Sequence, residues 1–393
     1  MARTAKHDWP MVRLGDVCEV VSGGTPKTSV EEYWGGEIPW VTPADLSKLK
    51  GLEISSGERA ITQRGVDKSS AVLLPAGSVV LSSRAPIGYV AIAQVPMATN
   101  QGCKSFIPSS EVDARYLAHY LLSQKDALQS LGTGATFKEL SKSRAADIRI
   151  PLPPLDEQRR IAAILDEVEK LSSSQAAKLA CLRELLDARS SRIAEEANAA
   201  KRLDELCDVQ GGISLGGARK SYPESAPYLR VANVFRNAID LSEVKSIPIR
   251  EGELEKYSLL SGDILVAEAH GNRYEVGRGA MLTESLEGHV YQNHLFRVRP
   301  NKEIDSEILV QLWNSPRVRK QILSIVSTTS GLNTTSISKI RSIQVPILTS
   351  EVQAEFSELL HYLTELIAQE EQKLNKVLEL SNSLSTRAFQ GEL

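Results

Sequence analysis

The chain of 393 residues is written twice, and this repeat limits the folds open to it more than any other feature. Arg13-Leu14-Gly15-Asp16-Val17-Cys18-Glu19-Val20 returns as Arg202-Leu203-Asp204-Glu205-Leu206-Cys207-Asp208-Val209, an offset of about 190 residues, and a Gly-Gly pair follows each copy. Pro39-Trp40-Val41 returns as Pro227-Tyr228-Leu229, and Gly77-Ser78-Val79-Val80-Leu81 as Gly262-Asp263-Ile264-Leu265-Val266, both turn-then-strand patterns. Each half has the same order: short strands and turn residues first, then a long stretch of helical periodicity. The expected fold is therefore α+β and duplicated, with domains at 1–153 and 201–348 and long helices over 154–200 and 349–393.

The helical stretches are free of Gly and Pro from Asp156 through residue 200 and again up to Gly391. Each can run for about 40 residues, or roughly 60 Å at 1.5 Å per residue. Asp156, after Pro151-Leu152-Pro153-Pro154-Leu155, is placed to cap the first, and Ser350-Glu351-Val352-Gln353 fits a capping box for the second. A heptad seam runs down each: Ile161, Leu165, Val168, Ser172, Gln175, Leu179, Leu182, Leu186, Arg189, Ile193, and Phe356, Leu360, Leu363, Ile367, Glu370, Leu374, Val377, Ser381, Leu384, Ala388. Successive members pair at a constant difference of 195. Identical register predicts that the helices pack on each other rather than each on its own domain alone. Chain order then makes the pair an antiparallel coiled coil about a pseudo-twofold axis, with Gln175 and Glu370 expected as the polar pair that fixes register.

Catalytic chemistry is not apparent. Gly211-Gly212-Ile213-Ser214-Leu215-Gly216-Gly217-Ala218-Arg219-Lys220-Ser221 resembles a phosphate loop, but a Walker loop needs Lys directly after its second glycine, and here Gly217, Ala218 and Arg219 intervene. Gly-x-Ser-x-Gly, His-Glu-x-x-His and the dinucleotide fingerprint are missing, as is the Asn/Asp-Pro-Pro-Tyr/Phe string of DNA amino-methyltransferases. The four cysteines form no Cys-x-x-Cys and the six histidines no His-x-x-x-His, so no metal site is expected. No apolar run approaches the ~20 residues of a membrane span, and the first ten residues lack a signal-peptide core; the expected location is the cytoplasm.

Charge is distributed unevenly. Residues 1–150 carry 17 basic against 15 acidic side chains and 201–349 carry 19 against 17, whereas 350–393 carry 3 against 8. Globular parts that touch DNA and helices that touch protein would have this pattern.

Ile150-Pro151-Leu152-Pro153-Pro154-Leu155-Asp156-Glu157-Gln158-Arg159-Arg160-Ile161-Ala162, Ser22-Gly23-Gly24-Thr25-Pro26, Arg84-Ala85-Pro86-Ile87-Gly88 and Asn100-Gln101-Gly102 give the chain a specific likeness. It resembles the DNA-specificity subunit of type I restriction-modification systems over essentially its whole length. The second half departs from the pattern, with Ala269-His270-Gly271-Asn272 where Arg84 and its neighbours would align and Thr349-Ser350-Glu351-Val352-Gln353 in place of Pro-Leu-Asp-Glu-Gln. The resemblance implies a non-catalytic protein with two target recognition domains, each reading one half of a split asymmetric site in double-stranded DNA. It also implies two modification subunits that methylate adenine from S-adenosylmethionine and restriction subunits that use ATP, with no cofactor on this chain itself.

Base readers must reach groove edges while cations and amides hold phosphates. The loop candidates are Thr25, Lys27, Arg84, Thr136 and Lys138 in the first domain, and Arg219, Lys220, Asn233, Arg273, Tyr274 and Asn333 in the second. Trp34 and Trp40 read as packing groups. The competing reading is a duplicated adaptor that binds proteins through the same rod and carries no DNA.

Overall fold

Runs of Val and Ile behind turn glycines form strands buried on both faces. Val79–Ser82 follows Gly77 (φ 86°) and Ile264–Ala267 follows Gly262 (φ 85°), left-handed positions where a side chain would be strained. The computed structural model describes residues 9–84, 86–133, 138–284, 286–329 and 331–393. They form two compact units: Met1–Ala176 with Gln372–Leu393, and Ala177–Glu371.

In the first unit a five-stranded sheet has the order Cys18–Ser22, Cys103–Pro108, Val79–Ser82, Val90–Ala93, Glu53–Ile54. A second sheet places Trp34–Val41 between Arg59–Ile61, antiparallel, and Ala98–Thr99, parallel. Met11–Arg13 pairs with Arg149–Pro151 and closes the domain on itself. Because successive strand side chains point to opposite faces, Val79 and Leu81 enter one core with Phe106, Tyr116 and Leu117, while Val80 enters another with Val21, Val41 and Met97.

The second unit repeats this plan. Its four-stranded sheet runs Cys207–Gly211, Leu295–Pro300, Ile264–Ala267, Gly279–Met281, and Glu224–Leu229 again lies between an antiparallel strand, Lys245–Ile249, and a parallel one, Val290–Tyr291. Ala199–Arg202 with Gln344–Ile347 is the closing pair. Ile264 and Val266 face the core of Leu309, Leu312 and Trp313, while Leu265 and Ala267 face that of Leu229, Ala280 and Tyr291. The helices Ala114–Ser123 and Ser306–Asn314 start alike, with Asp113 and Asp305 each accepting two backbone N–H groups of the first turn.

The long helices are Leu155–Glu196 and Ser350–Ala388, 42 and 39 residues. In the first unit Ile161 and Leu165 share a core with Ala388, Leu384 and Phe389. In the second, Ile193 shares a core with Phe356, Leu186 packs with Leu360 and Leu363, and Lys178 donates to Glu370 at 2.9 Å. Rising numbers on one helix meet falling numbers on the other, so the seam is antiparallel there. Glu370 is 1% exposed and Lys178 is its ion-pair partner; Gln175 falls in the first unit and Glu370 in the second.

Both helix starts differ from expectation. Asp156 lies inside the first turn, its side chain 98% exposed and nearest to Arg159, because the helix already begins at Leu155. The entry is pinned instead by Gln158, fully buried, which donates to the carbonyls of Glu111 and Pro153 and accepts from the Asp113 amide, each at 2.9 Å. At the second start the capping hydroxyl is that of Thr349, one residue ahead of Ser350, accepting from the Val352 amide at 3.4 Å. Gln353 donates to the Leu348 carbonyl. Among the described residues no helix is long and apolar enough to cross a membrane.

Candidate nucleic-acid interface

The Gly-Gly loop of the first unit is held from below by aromatic N–H groups. Trp40 Nε1 donates to the Gly24 carbonyl at 2.9 Å and Trp34 Nε1 to that of Lys27 at 3.2 Å. The two rings meet edge to face, and the Arg59 guanidinium lies 3.4 Å over Trp34. Backbone passes so close that a Cβ on Gly24 would fall 2.2 Å from the Ser70 carbonyl carbon. The tryptophans are packing groups, and the loop they fix leaves the Lys27 side chain exposed. Thr25 donates to Gln101 at 2.5 Å.

From Gln101 a polar network continues inward. Lys104, almost fully buried, reaches the Gln101 carbonyl and Ser83 Oγ at 3.3 Å and Glu139 at 3.4 Å. Arg84 approaches the other Glu139 oxygen at 3.7 Å. Thr25 and Arg84 thus belong to one group organised by Gln101, Lys104 and Glu139. Lys138 is exposed beside Glu139, and Thr136 lies outside the described residues. Lys104 was not among the sequence candidates; its signal was a lysine inside a strand buried on both faces. Its register equivalent, opposite Gly211 as Lys104 is opposite Ser22, is Phe296.

The second unit builds its loops from other chemistry. Arg219 makes a two-pronged pair with Glu253, both bonds 2.8 Å, and also donates to the carbonyls of Ser214 and Pro248. That guanidinium holds the Glu253 carboxyl down to about 2. Asn233 is buried, accepting from the Arg230 amide and donating to the carbonyls of Asp240 and Glu243. Both side chains hold their loops and turn no free polar edge outward, while Lys220 next to Arg219 is exposed. Partners 3 to 34 residues away along the chain supply these contacts, which residue type and position alone do not disclose.

Arg273, Tyr274 and Asn333 do come together. Asn333, on the hairpin strand Leu332–Thr334, donates to the Gly271 carbonyl at 2.8 Å and accepts from Thr328 at 2.8 Å. That strand pairs with Ala269–His270, which leads into the turn bearing Arg273 and Tyr274. Tyr274 is 60% exposed, and Phe235 nearby is 45% exposed with Arg278 against its ring. Arg236, Arg278 and Arg319 surround Glu275 and the turn from within. Burial lowers the Arg319 pKa to about 10, with repulsion from Arg236 adding and Glu275 opposing. Arg236 and Arg273 are exposed there, backed by the buried Arg278 and Arg319, and give this surface the positive charge that phosphates need.

A profile of the family described as type I restriction modification DNA specificity domain matches residues 6–182 and again 195–379. The chain belongs to this family. Among relatives, the MjaIX specificity subunit of Methanocaldococcus jannaschii is 44% identical over 167 residues, which is 42% of this chain and 38% of that protein. The aligned part is thus about two fifths of that relative's length. The EcoKI specificity subunit of Escherichia coli K12 is 25% identical over 425 residues, covering 98% of this chain and 89% of the other. Two solved structures share the fold: the S subunit of a type I system from M. genitalium (TM-score 0.59, 15% identity, 99% and 98% covered), and a chain from a study of complex assembly in the type I R-M system (TM-score 0.61, 16% identity, 100% of both). Two copies of the family domain in one chain account for the repeat.

Proposed function

We propose that this specificity-family chain reads a split, asymmetric target in double-stranded DNA, each recognition domain taking one half, and that it performs no catalysis of its own. The observation that carries this reading is a duplicated backbone with different polar chemistry on its loops: Thr25, Gln101, Lys104, Glu139 and Arg84 on one copy, Arg273, Tyr274, Asn333 and their arginines on the other. One scaffold with two reading surfaces suits two unlike half-sites. Residues 1–153 and 201–348 are the recognition domains and 154–200 and 349–393 the spacers. Lys27, Arg84, Lys138, Lys220, Arg273, Tyr274 and Asn333 face the duplex, with Thr25 oriented by Gln101. Arg219 and Asn233 act through the loops they hold. In the cytoplasm two modification subunits, and restriction subunits where the system cuts, dock on this chain and carry the methyl-transfer and ATP chemistry.

Selection from a random duplex library tests this, with the chain alone and assembled with its modification subunits. Enrichment of two short motifs at fixed separation is the expected result. An assembled complex that enriches nothing would favour the adaptor reading instead.

A further inference from the structure

The turn 270–277 of the second unit is fastened far more firmly than a surface loop requires. Arg236 Nη2 and Arg319 Nη2 both donate to the Tyr274 carbonyl, at 2.8 and 2.9 Å, and Arg319 forks on to the Val276 carbonyl at 2.7 Å. Trp313 Nε1 holds the Gly277 carbonyl at 2.8 Å. Asn272 accepts from the Tyr274 amide at 3.0 Å, and Arg273 reaches the Leu323 carbonyl at 3.1 Å. Gly277 has φ 71°, and a Cβ there would lie 2.5 Å from Ile322, so the turn sits hard against the helix Pro316–Ile325.

Arg319 comes from that helix and is 6% exposed, and its Nη1 finds no hydrogen-bond partner among the described residues. Burying a guanidinium with an unsatisfied N–H is unfavourable. Asn272 and Gly277 alone would make the turn. What the arginines add is immobility of the backbone at residues 274–276, and the one large group this immobilises on the outside is the Tyr274 ring, 60% exposed. A rigid aromatic on a cationic base, with Arg236 and Arg273 at its flanks, is what contact with stacked bases between phosphates needs. Fixing the ring before binding removes an ordering cost from the complex.

We infer that Tyr274 is the aromatic wedge of the second recognition domain, placed against a base step of its half-site, and that Arg319 and Arg236 are the positioning residues that aim it. The inference rests on the DNA reading above and adds to it which group touches base faces and what orients that group.

The test uses the full chain assembled with its modification subunits, on duplexes carrying the motif that this complex selects. 2-Aminopurine replaces each second-half base in turn, since its emission rises on unstacking. Wild type should raise emission at one step. Tyr274→Ala should abolish the rise and weaken binding by about fivefold to 150-fold, the range of one base–aromatic stack, with discrimination at the first half-site unchanged. Tyr274→Phe, which keeps the ring, should restore most of the loss. Arg319→Lys keeps the charge but replaces the planar, pre-organised guanidinium by a flexible point-like ammonium; it should lower the emission and the second-half discrimination although Tyr274 is present.

Unchanged binding and emission in Tyr274→Ala overturn the proposal, and this surface change stands even if Arg319→Lys fails to fold. A Tyr274→Ala chain that loses affinity for modification subunits and none for DNA assigns the ring to a protein contact and overturns it too. Arg319→Lys that matches wild type removes the positioning role. A wild-type complex that selects no motif at all fails the underlying reading first, which none of the other outcomes does.

Discussion

His119 and Gln311 occupy equivalent turns of equivalent helices, six residues after the capping Asp113 and Asp305, yet the surroundings have opposite character. In the first unit His119 Nε2 meets Asp166 at 2.8 Å, the other Asp166 oxygen takes Arg115 at 3.0 Å, and Arg115 also pairs with Glu53. Glu169 completes a tight group whose ligand-type atoms lie within 4.8 Å. In the second unit the matching positions Glu307, Gln311 and Thr364 line a cleft of about 640 Å³ of mixed polar and apolar lining, together with Asp187, Arg236 and Asn314. Leu165 and Leu360, one turn from Glu169 and Thr364, are buried in both. Duplication has kept the apolar seam and the helix caps, which set the backbone, and let the polar filling beside them diverge.

Exchanging residues 1–153 for the equivalent domain of another family member tests the independence of the halves, and its effect is the largest. One half-site should be replaced completely and the other left as it was, as read from the methylated positions of host DNA; a change in both would break the comparison.

Asp166→Ala should destabilise the first unit by about 2 kcal/mol, because a buried histidine and an arginine lose their shared acceptor and Arg115 is itself partly exposed. Thr364→Ala, at the equivalent turn of the open cleft, should stay within about 0.5 kcal/mol. Equal shifts in denaturant midpoint would show that the polar group is not what holds the first unit.

Acid separates the loops. Glu253 has its folded pKa lowered, to about 2, by Arg219, so its contribution is complete above the ordinary carboxylate value of about 4.3 and fades as pH falls toward 2. The matching loop of the first unit is held by the Trp34 and Trp40 N–H groups with Arg59 over the Trp34 ring, and among the described residues no carboxylate bonds to it. Protection of amides 214–222 from hydrogen exchange should therefore fall between pH 4.5 and 2.5 (about the interval between those values) while that of 24–30 persists. Glu253→Gln should lose that acid dependence.

The smallest effect concerns Glu370. A buried carboxylate loses in desolvation about what its pair with Lys178 returns, so Glu370→Leu should change stability by no more than about 1 kcal/mol. A loss of several kcal/mol in thermal or denaturant unfolding would mark the pair as a main support of the second unit's seam.

The repeat, the α+β class and the seam were legible because they rest on periodicity: Ile161, Leu165, Ile193, Phe356, Leu360 and Leu363 are all buried as their heptad positions require. The second cap was legible to within a residue, since Thr349 and Ser350 carry the same chemistry, whereas the first was not, because Asp156 lies inside the helix and Gln158 pins its entry. The candidate interface was less so. Lys27, Lys220 and Tyr274 are exposed as loop position implies, but Arg219 and Asn233 turn inward to partners that only the fold brings near. Lys104 and Arg319 were hidden for the converse reason: they are charged side chains in buried positions, where pattern reading expects apolar ones.

Phe389 packs on Tyr116 and Tyr120, with centroids 5.4 and 5.1 Å apart, and Leu384 and Ala388 lie in the same core. This gives the two units unequal histories on the ribosome. The second is one uninterrupted stretch, 177–371, and has all its parts as soon as that stretch emerges. The first, begun earlier, stays open until residues near 389 have been made, holding apolar surface exposed for more than half of synthesis. Translation halted just before residue 384 would release a chain whose later half is finished and whose earlier half still lacks part of its interior, so an early stop near the end would damage reading of the half-site assigned to the beginning.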